Sequence, residues 1–206
     1  MHQRCLEVRK LGRVGYEKSL ELQKELETDV IARREQDYLL LLEHPHTFTL
    51  GRRSKTDGVL ATAEILKKLG VEVHEINRGG RVTYHGIGQI VGYPIISLSP
   101  DREDVHKYVR DLEEVLIRTM ADFDVEAFRI DGLTGVHTID GKVAAIGVHI
   151  KRWVTTHGFA LNVNTDLSFY NWIIACEGEP VTSMDKLLGR EVDMSEVEDR
   201  LEENFR

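Results

Sequence analysis

Apolar residues recur along the chain at two different periods, and the switches between them mark out the elements. Over 16–34, Leu22, Leu26 and Val30 fall four apart, the spacing of one helix face. YLLLLEH (38–44) is instead a continuous apolar run of strand length, as expected of a central strand. A short helix near 62–69 leads into 71–77, where Val71, Val73, Glu75 and Asn77 alternate with Glu72, His74 and Ile76. QIVGYPIISL (89–98) reads as another buried strand, with Pro94 marking an edge or a bulge. The clearest helix covers 101–123, where Val105, Tyr108, Val109, Leu112, Leu116, Met120 and Phe123 form the stripe. Asp101, Glu103 and Asp104 complement the dipole at its start. Strands are expected near 127–130, 135–139, 142–150 and 158–164, and the opening MHQRCLEVRKLG also reads as a strand. Ser195 and Glu198 form a capping box that opens a C-terminal helix.

This order, with helices interspersed among strands and several strands joined by hairpins, predicts an α+β domain whose mixed β-sheet core is flanked by helices. A doubly wound parallel fold is disfavoured, because strands and helices do not alternate regularly. The 206 residues suffice for one domain, 1–206, and no internal repeat, low-complexity segment or linker divides them. No apolar run approaches the roughly 20 residues of a spanning helix, so no membrane association is expected. The N-terminus lacks the apolar segment of a secretion signal and the Arg/Ser-rich lead of a transit peptide, which predicts a cytoplasmic protein. The net charge of −8 argues against nucleic acid as a partner. Basic residues still cluster locally, as Arg52, Arg53 and Lys55, as Arg78 and Arg81, and as Lys151 and Arg152. Each cluster is solvated surface by default, or part of one docking patch if the fold gathers them. In a reducing compartment the two cysteines, Cys5 and Cys176, are buried apolar residues or reactive thiols rather than a disulfide.

HTIDGKVAAIGVHI holds the strongest local signal. Asp140-Gly141 between two apolar strands predicts a two-residue type I′ hairpin. Counting by two then places Lys142 on one face with Ala144, Ile146, Val148 and Ile150, and puts Val143, Ala145, Gly147 and His149 on the other. On a core-facing side the ammonium would be partly desolvated, which favours the neutral amine that can act as a general base. The alternative is a hairpin lysine that reaches water along its stem. Ala145 and Gly147, and Gly158, Ala160 and Asn162 on the next strand, leave small residues on one face. They form either a narrow slot or simply a tight strand pair.

INRGGRVTYHGIGQIVGYPI (76–95) has the glycines of a phosphate loop without the Lys-Ser/Thr that follows them. Gly86-Ile87-Gly88 suggests a dinucleotide loop, but it runs into a proline-containing strand rather than a helix. Among His44, His46, His74 and His85 no pair has the helical spacing of metal ligands, so no metal is expected. What remains is a turn in which Gly79-Gly80 adopts positive φ and presents backbone amides, with Arg78, Tyr84 and His85 around it.

Three stretches together, RGGRVTYHGIGQIVGYPI, GKVAAIGVHIKRWVTTHGFALNVNTDL and IIACEGEPVTSM, resemble the lipoyl(octanoyl) transferase family of the biotin/lipoate protein ligase superfamily. With LLLEHPHTFTLG and the first helix, the resemblance covers nearly the whole chain. It implies the biotin/lipoate protein ligase-like fold and transfer of an octanoyl group from octanoyl-acyl carrier protein to a lysine of lipoyl domains. This is the first step of endogenous protein lipoylation. The acceptors would be 2-oxoacid dehydrogenase complexes and the glycine cleavage H protein. The family's nucleophile matches Cys176, which would carry an acyl-thioester, and its lysine partner matches Lys142. Its substrate-lining segments match Arg78, Gly79, Gly80, Arg81, Val82, Thr83, Tyr84 and His85; then Ala145, Ile146 and Gly147; then Gly158, Phe159 and Ala160. No ATP and no metal are implied, and a monomer is expected. Two departures stand out. Ile87 occupies a position where the family has proline, implying a looser turn, and Ala175-Cys176-Glu177 replaces Pro-Cys-Gly, setting a carboxylate beside the thiol. The competing readings are an ATP-dependent lipoate-protein ligase, which needs no cysteine nucleophile, and a non-catalytic binding scaffold.

Overall fold

The computed structural model describes residues 5–33, 36–54, 58–175 and 179–206; Lys55, Cys176 and Glu177 lie outside these described residues. The chain runs β1 (Cys5–Arg13), α1 (Tyr16–Arg33), β2 (Gln36–Glu43), β3 (Thr47–Leu50), α2 (Ala63–Leu69), β4 (Glu72–Glu75), β5 (Val82–His85) and β6 (Gln89–Ile95). It continues through α3 (Val105–Ala121), β7 (Val136–Thr138), β8 (Gly141–Lys151), β9 (Val154–Asn162), a 3-10 turn (Leu167–Trp172), α4 (Met184–Leu188) and α5 (Met194–Phe205). Six strands form a mixed sheet in the order β1-β2-β6-β9-β8-β7, and three form a smaller sheet, β4-β3-β5. In the large sheet only β1 and β2 run parallel.

The continuous apolar run of β2 follows from burial on both faces. Leu39 and Leu41 pack with α3 and α5 through Leu112, Leu116, Val197 and Leu201. Leu40 and Leu42 point the other way, toward Leu26 and Val30 of α1. A third cluster, built on Phe48, Val82, Tyr84 and Phe169, supports the small sheet. Glu113, only 1% exposed on α3, accepts from Arg110 at 2.9 Å, Arg129 at 3.2 Å and the Gly135 amide at 3.1 Å.

Four sequence expectations shift. The long helix starts at Val105, because the Asp104 side chain caps the Lys107 amide; Asp101 and Glu103 precede it. The cap of α5 is Asp193, which accepts from the Ser195 and Glu196 amides, so Ser195 lies inside the helix. The strand near 127–130 reduces to a single bridge between Phe128 and His137. Most consequential is the hairpin. Thr138 pairs with Gly141, which puts Ile139-Asp140 at the turn and the positive φ of 128° at Gly141. His137 then pairs with Lys142 but Val136 with Ala144, leaving Val143 as a bulge. The extra residue moves Lys142 off the face of Ala144, which packs toward α3 and α5, and onto the side of Ala145.

Candidate active site

Strands β8 and β9 pair Ala145 with Ala160 and Gly147 with Gly158. Their small side chains leave a cavity of about 500 Å³, counting its open mouth, between the large sheet and the loop that leads into β5. Of the sequence-predicted residues, Ala145, Ile146, Gly147, Gly158, Phe159 and Ala160 line one side, and Arg78, Gly80, Arg81, Val82, Thr83 and His85 line the other. Tyr16, Tyr93 and His157 complete the lining, and sequence reasoning singled out none of them. Gly79 and Tyr84 stand apart from it. The Gly79 amide is spent on the Val148 carbonyl at 3.0 Å, and of the two loop glycines only Gly80 has a positive φ, 87°. The Tyr84 ring lies 4.9 Å from Phe169 in a parallel stack, with its hydroxyl on His46 Nδ1 at 2.8 Å.

Arg78 is 7% exposed and donates to the Gly79 carbonyl at 2.9 Å and to the carbonyl and hydroxyl of Thr49, both at 2.8 Å. Burial first, and the positive charge of Arg78 after it, push His157 down to about 3. Burial also takes His85 well below its ordinary value, helped by His44 and Arg78. It lowers His44 to about 4 and raises Tyr16 to about 12. At neutral pH these rings are therefore uncharged, and their tautomers follow from their partners. His44 Nδ1 donates to the Val14 carbonyl at 2.6 Å, so its Nε2 accepts from the Tyr93 hydroxyl at 2.8 Å. His85 Nδ1 donates to Gln89 Oε1 at 2.9 Å; Gln89 Nε2 donates to Asn162 Oδ1 at 2.9 Å, and Asn162 Nδ2 to the Thr182 carbonyl at 3.0 Å. His157 sits within β9 at a φ of 56°, its amide held by Gln23 Oε1 at 2.9 Å and its Nε2 by Asn77 Oδ1 at 3.0 Å. A non-glycine residue at positive φ inside a strand is strained and needs such surroundings to hold it.

At Thr83 and Ala145 the first cavity abuts a second of about 340 Å³, lined also by Lys142, Asn162, Tyr170, Ala175, Glu179 and Val181. Lys142 is 6% exposed. Its backbone is clamped on both sides. Besides its pairing with His137, its amide donates to the Pro180 carbonyl at 2.8 Å, and its carbonyl accepts from the Thr182 amide at 3.0 Å. Gly141 is required for this approach, since a Cβ there would lie 2.4 Å from the Pro180 carbonyl oxygen. Lys142 Nζ meets Glu179 Oε2 at 2.5 Å. Ala175 lines the same cavity, and the residue after it is Cys176, outside the described residues. Among the described residues no cluster of His, Cys, Asp or Glu suits a metal ion.

A family model for the lipoyl protein ligase A/B catalytic domain matches residues 15–206. The chain belongs to that family. A curated relative from Solibacter usitatus, an octanoyltransferase, is 49% identical over 98% of this chain and 90% of its own length. The fold is also that of a lipoate-protein ligase A bound with ATP, at a TM-score of 0.74 and 16% identity, over 100% of this chain and 84% of that one. A biotin protein ligase from Aquifex aeolicus in complex with biotin and ATP aligns at a TM-score of 0.56 and 13% identity, over 96% of this chain and 69% of its own. The α+β, biotin/lipoate protein ligase-like architecture expected from the sequence is therefore the one observed.

Within this lipoyl protein ligase A/B framework the turn carrying Ile87 is anchored at Gly88. The Gly88 amide donates to Glu43 Oε2 at 2.7 Å, and a Cβ on Gly88 would lie 2.2 Å from the Asn164 carbonyl oxygen. Arg78 is buried and contributes nothing to a surface patch, whereas Arg52, Arg53, Arg81, Lys151 and Arg152 are exposed. Arg53 and Arg81 lie beside Lys142 and Glu179 around a third cavity of about 620 Å³. Burial first, and then the charges of Arg52 and Lys151, lower His149 below its ordinary value, against the pull of Glu27.

Proposed function

We propose that residues 1–206 form one octanoyltransferase catalytic domain that moves an octanoyl group from octanoyl-acyl carrier protein to a lysine of lipoyl domains, those of 2-oxoacid dehydrogenase complexes and the glycine cleavage H protein. The observation that carries this reading is the shared cavity of Lys142 and Ala175, which abuts the small-residue slot at Thr83 and Ala145. The family relationship and the curated relative named octanoyltransferase support it. Cys176 is the nucleophile and Lys142 its base. A thiol with an ordinary pKa of about 8.5 is mostly protonated at neutral pH, so an amine beside it speeds attack. Lys142 takes the thiol proton, the sulfur bonds to the thioester carbonyl carbon, and the carrier thiolate leaves with the proton from Lys142. An acceptor lysine then attacks the Cys176 thioester and gives its proton to the same base, and the Cys176 thiolate leaves and is reprotonated. The slot walls bind the acyl chain; at about 0.8 kcal/mol per buried CH₂, a medium chain is favoured over acetyl. Exposed Arg52, Arg53 and Arg81 form a rim for an acidic carrier. The reaction needs neither ATP nor metal, and a monomer in a reducing cytoplasm, where the thiol persists, suits it.

The decisive experiment is intact-mass analysis after mixing the protein with octanoyl-acyl carrier protein in the absence of ATP. The wild-type chain is expected to gain one octanoyl group and Cys176→Ala none; an adduct that persists on Cys176→Ala refutes the nucleophile. A requirement for ATP would favour the ligase reading instead. Arg52→Glu is expected to weaken donor capture in a salt-sensitive way, and salt-insensitive capture would count against the basic rim.

A further inference from the structure

Lys142 does not stand alone in its cavity. Glu179 approaches it from the segment that pairs with its backbone, and the Lys142 Nζ–Glu179 Oε2 distance is 2.5 Å. The carboxylate is largely withdrawn from water, with its side chain 17% exposed, and it lines both cavities that Lys142 reaches outside the acyl slot. On its other side lies His137, 3% exposed, with Nε2 at 3.7 Å from the same oxygen. Burial, and then the charge of Lys142, hold that imidazole below its ordinary value, so it adds no competing positive charge. Among the described residues, the other charged groups near the pair are Glu113, which acts on His137 from α3, and Arg53 and Arg81, which share the outer cavity. Neither Glu179 carboxylate oxygen has a hydrogen-bond partner of good geometry among the described residues, so its close approach to Lys142 is what offsets the cost of burying it. The segment that carries Glu179 is tied to β8 separately, through backbone hydrogen bonds of Lys142 with Pro180 and Thr182.

We propose that Glu179 is a third member of the acyl-transfer machinery, a positioning residue that holds Lys142 Nζ in place and compensates the positive charge Lys142 acquires each time it accepts a proton. The idea rests on Lys142 being the base of the proposed function. Glu179 neither gives nor takes a proton in this scheme. The proton passes from the Cys176 thiol to Lys142 and on to the departing carrier thiolate, and later from the acceptor amine to Lys142 and back to the Cys176 sulfur. This is the general arrangement of nucleophile, base and orienting acid.

The test compares Glu179→Gln, Glu179→Asp, Lys142→Ala and the double variant Glu179→Gln/Lys142→Ala in steady-state transfer from octanoyl-acyl carrier protein. Thermal melts confirm that each variant folds. Glu179→Gln is expected to lower kcat roughly 10- to 100-fold while the donor KM stays within about twofold, and Glu179→Asp, which keeps the charge, to fall between it and wild type. In the Lys142→Ala background, adding Glu179→Gln should change kcat less than about twofold, because its partner is already gone. Wild-type kcat in Glu179→Gln beside an inactive Lys142→Ala overturns this proposal and leaves the base assignment standing. Wild-type kcat in Lys142→Ala overturns the base assignment itself, and this proposal with it. Equal losses from Glu179→Gln in both backgrounds, or a rise in KM without a fall in kcat, reduce Glu179 to a structural role. Should Glu179→Gln fail to fold, Glu179→Asp carries the same comparison.

Discussion

Two glycines with the same sequence signature have different physical reasons to be glycine. A Cβ on Gly158 would lie 2.2 Å from the Gly92 carbonyl oxygen and 2.6 Å from Pro94 Cδ, atoms of the neighbouring strand that cannot swing aside. A Cβ on Gly147 would lie 3.0 Å from Arg78 Cδ and 3.1 Å from the Gly79 carbonyl oxygen, on a loop and a long side chain that can give a little. Gly158→Ala is therefore expected to cost about 3 kcal/mol of stability by overpacking, whereas Gly147→Ala should cost less and act mainly by displacing Arg78 within the slot. Urea melts set against the donor KM separate the two; equal destabilisation would mean that the loop is as rigid as the sheet. Alternation along β8 and β9 was enough to put Ala145, Gly147, Gly158 and Ala160 on one wall. It could not show which atoms face them across the gap, nor that Tyr16, Tyr93 and His157 close the lining. Those three come from α1, β6 and a strained strand position, and no short-range pattern joins them.

Among the elements, the ones with a strong periodic stripe were legible and the ones set by tertiary pairing were not. The helix around Leu112 and Leu116 and the doubly buried run of β2 follow from burial alone. Strands β3 and β5 have four residues each, too few for a period to stand out. The hairpin before Lys142 was misplaced by one residue because Asp-Gly is a strong local turn signal, while the bulge at Val143 depends on pairing with β7. That single residue decides whether Lys142 faces the helices or the cavity. Glu113 shows the same limit. It lies off the apolar stripe that marks the helix, yet it ties α3 to Arg129 and to the Gly135 amide ahead of β7. Glu113→Ala is expected to cost about 3 kcal/mol, since it leaves the buried Gly135 amide without its acceptor and removes a buried carboxylate from Arg110 and Arg129, of which Arg129 keeps Glu114. Equilibrium urea unfolding measures this, and a loss below about 1 kcal/mol would mean that water replaces the carboxylate without penalty.

At the scale of the whole molecule, the polar interior between the two sheets makes folding sensitive to acid. His44 is lowered to about 4 and His157 to about 3, chiefly by burial, from an ordinary value of 6.5. Their hydrogen bonds to Val14, Tyr93 and Asn77 are those of neutral rings. In the unfolded chain both rings take up protons below about pH 6.5, while in the folded chain neither does until about pH 4 or pH 3. The unfolded state thus binds more protons across this window. The stabilisation is fully present above pH 6.5 and is lost as pH falls toward the folded values. At pH 5 the loss is roughly 2 kcal/mol for each histidine, a large share of the 5–15 kcal/mol typical of a domain. The lowered values of His85 and His137 act in the same direction. The carboxylates whose values are depressed, Glu114, Asp166 and Asp193, add their part only at more acid pH, and Glu198, raised by burial, acts in the opposite direction. Urea midpoints at pH 7 and pH 5 should therefore differ sharply, and His44→Gln should flatten the dependence by about 1.4 kcal/mol per pH unit. A midpoint unchanged between pH 7 and pH 5 would mean that these rings are protonated, or reach water, in the folded protein.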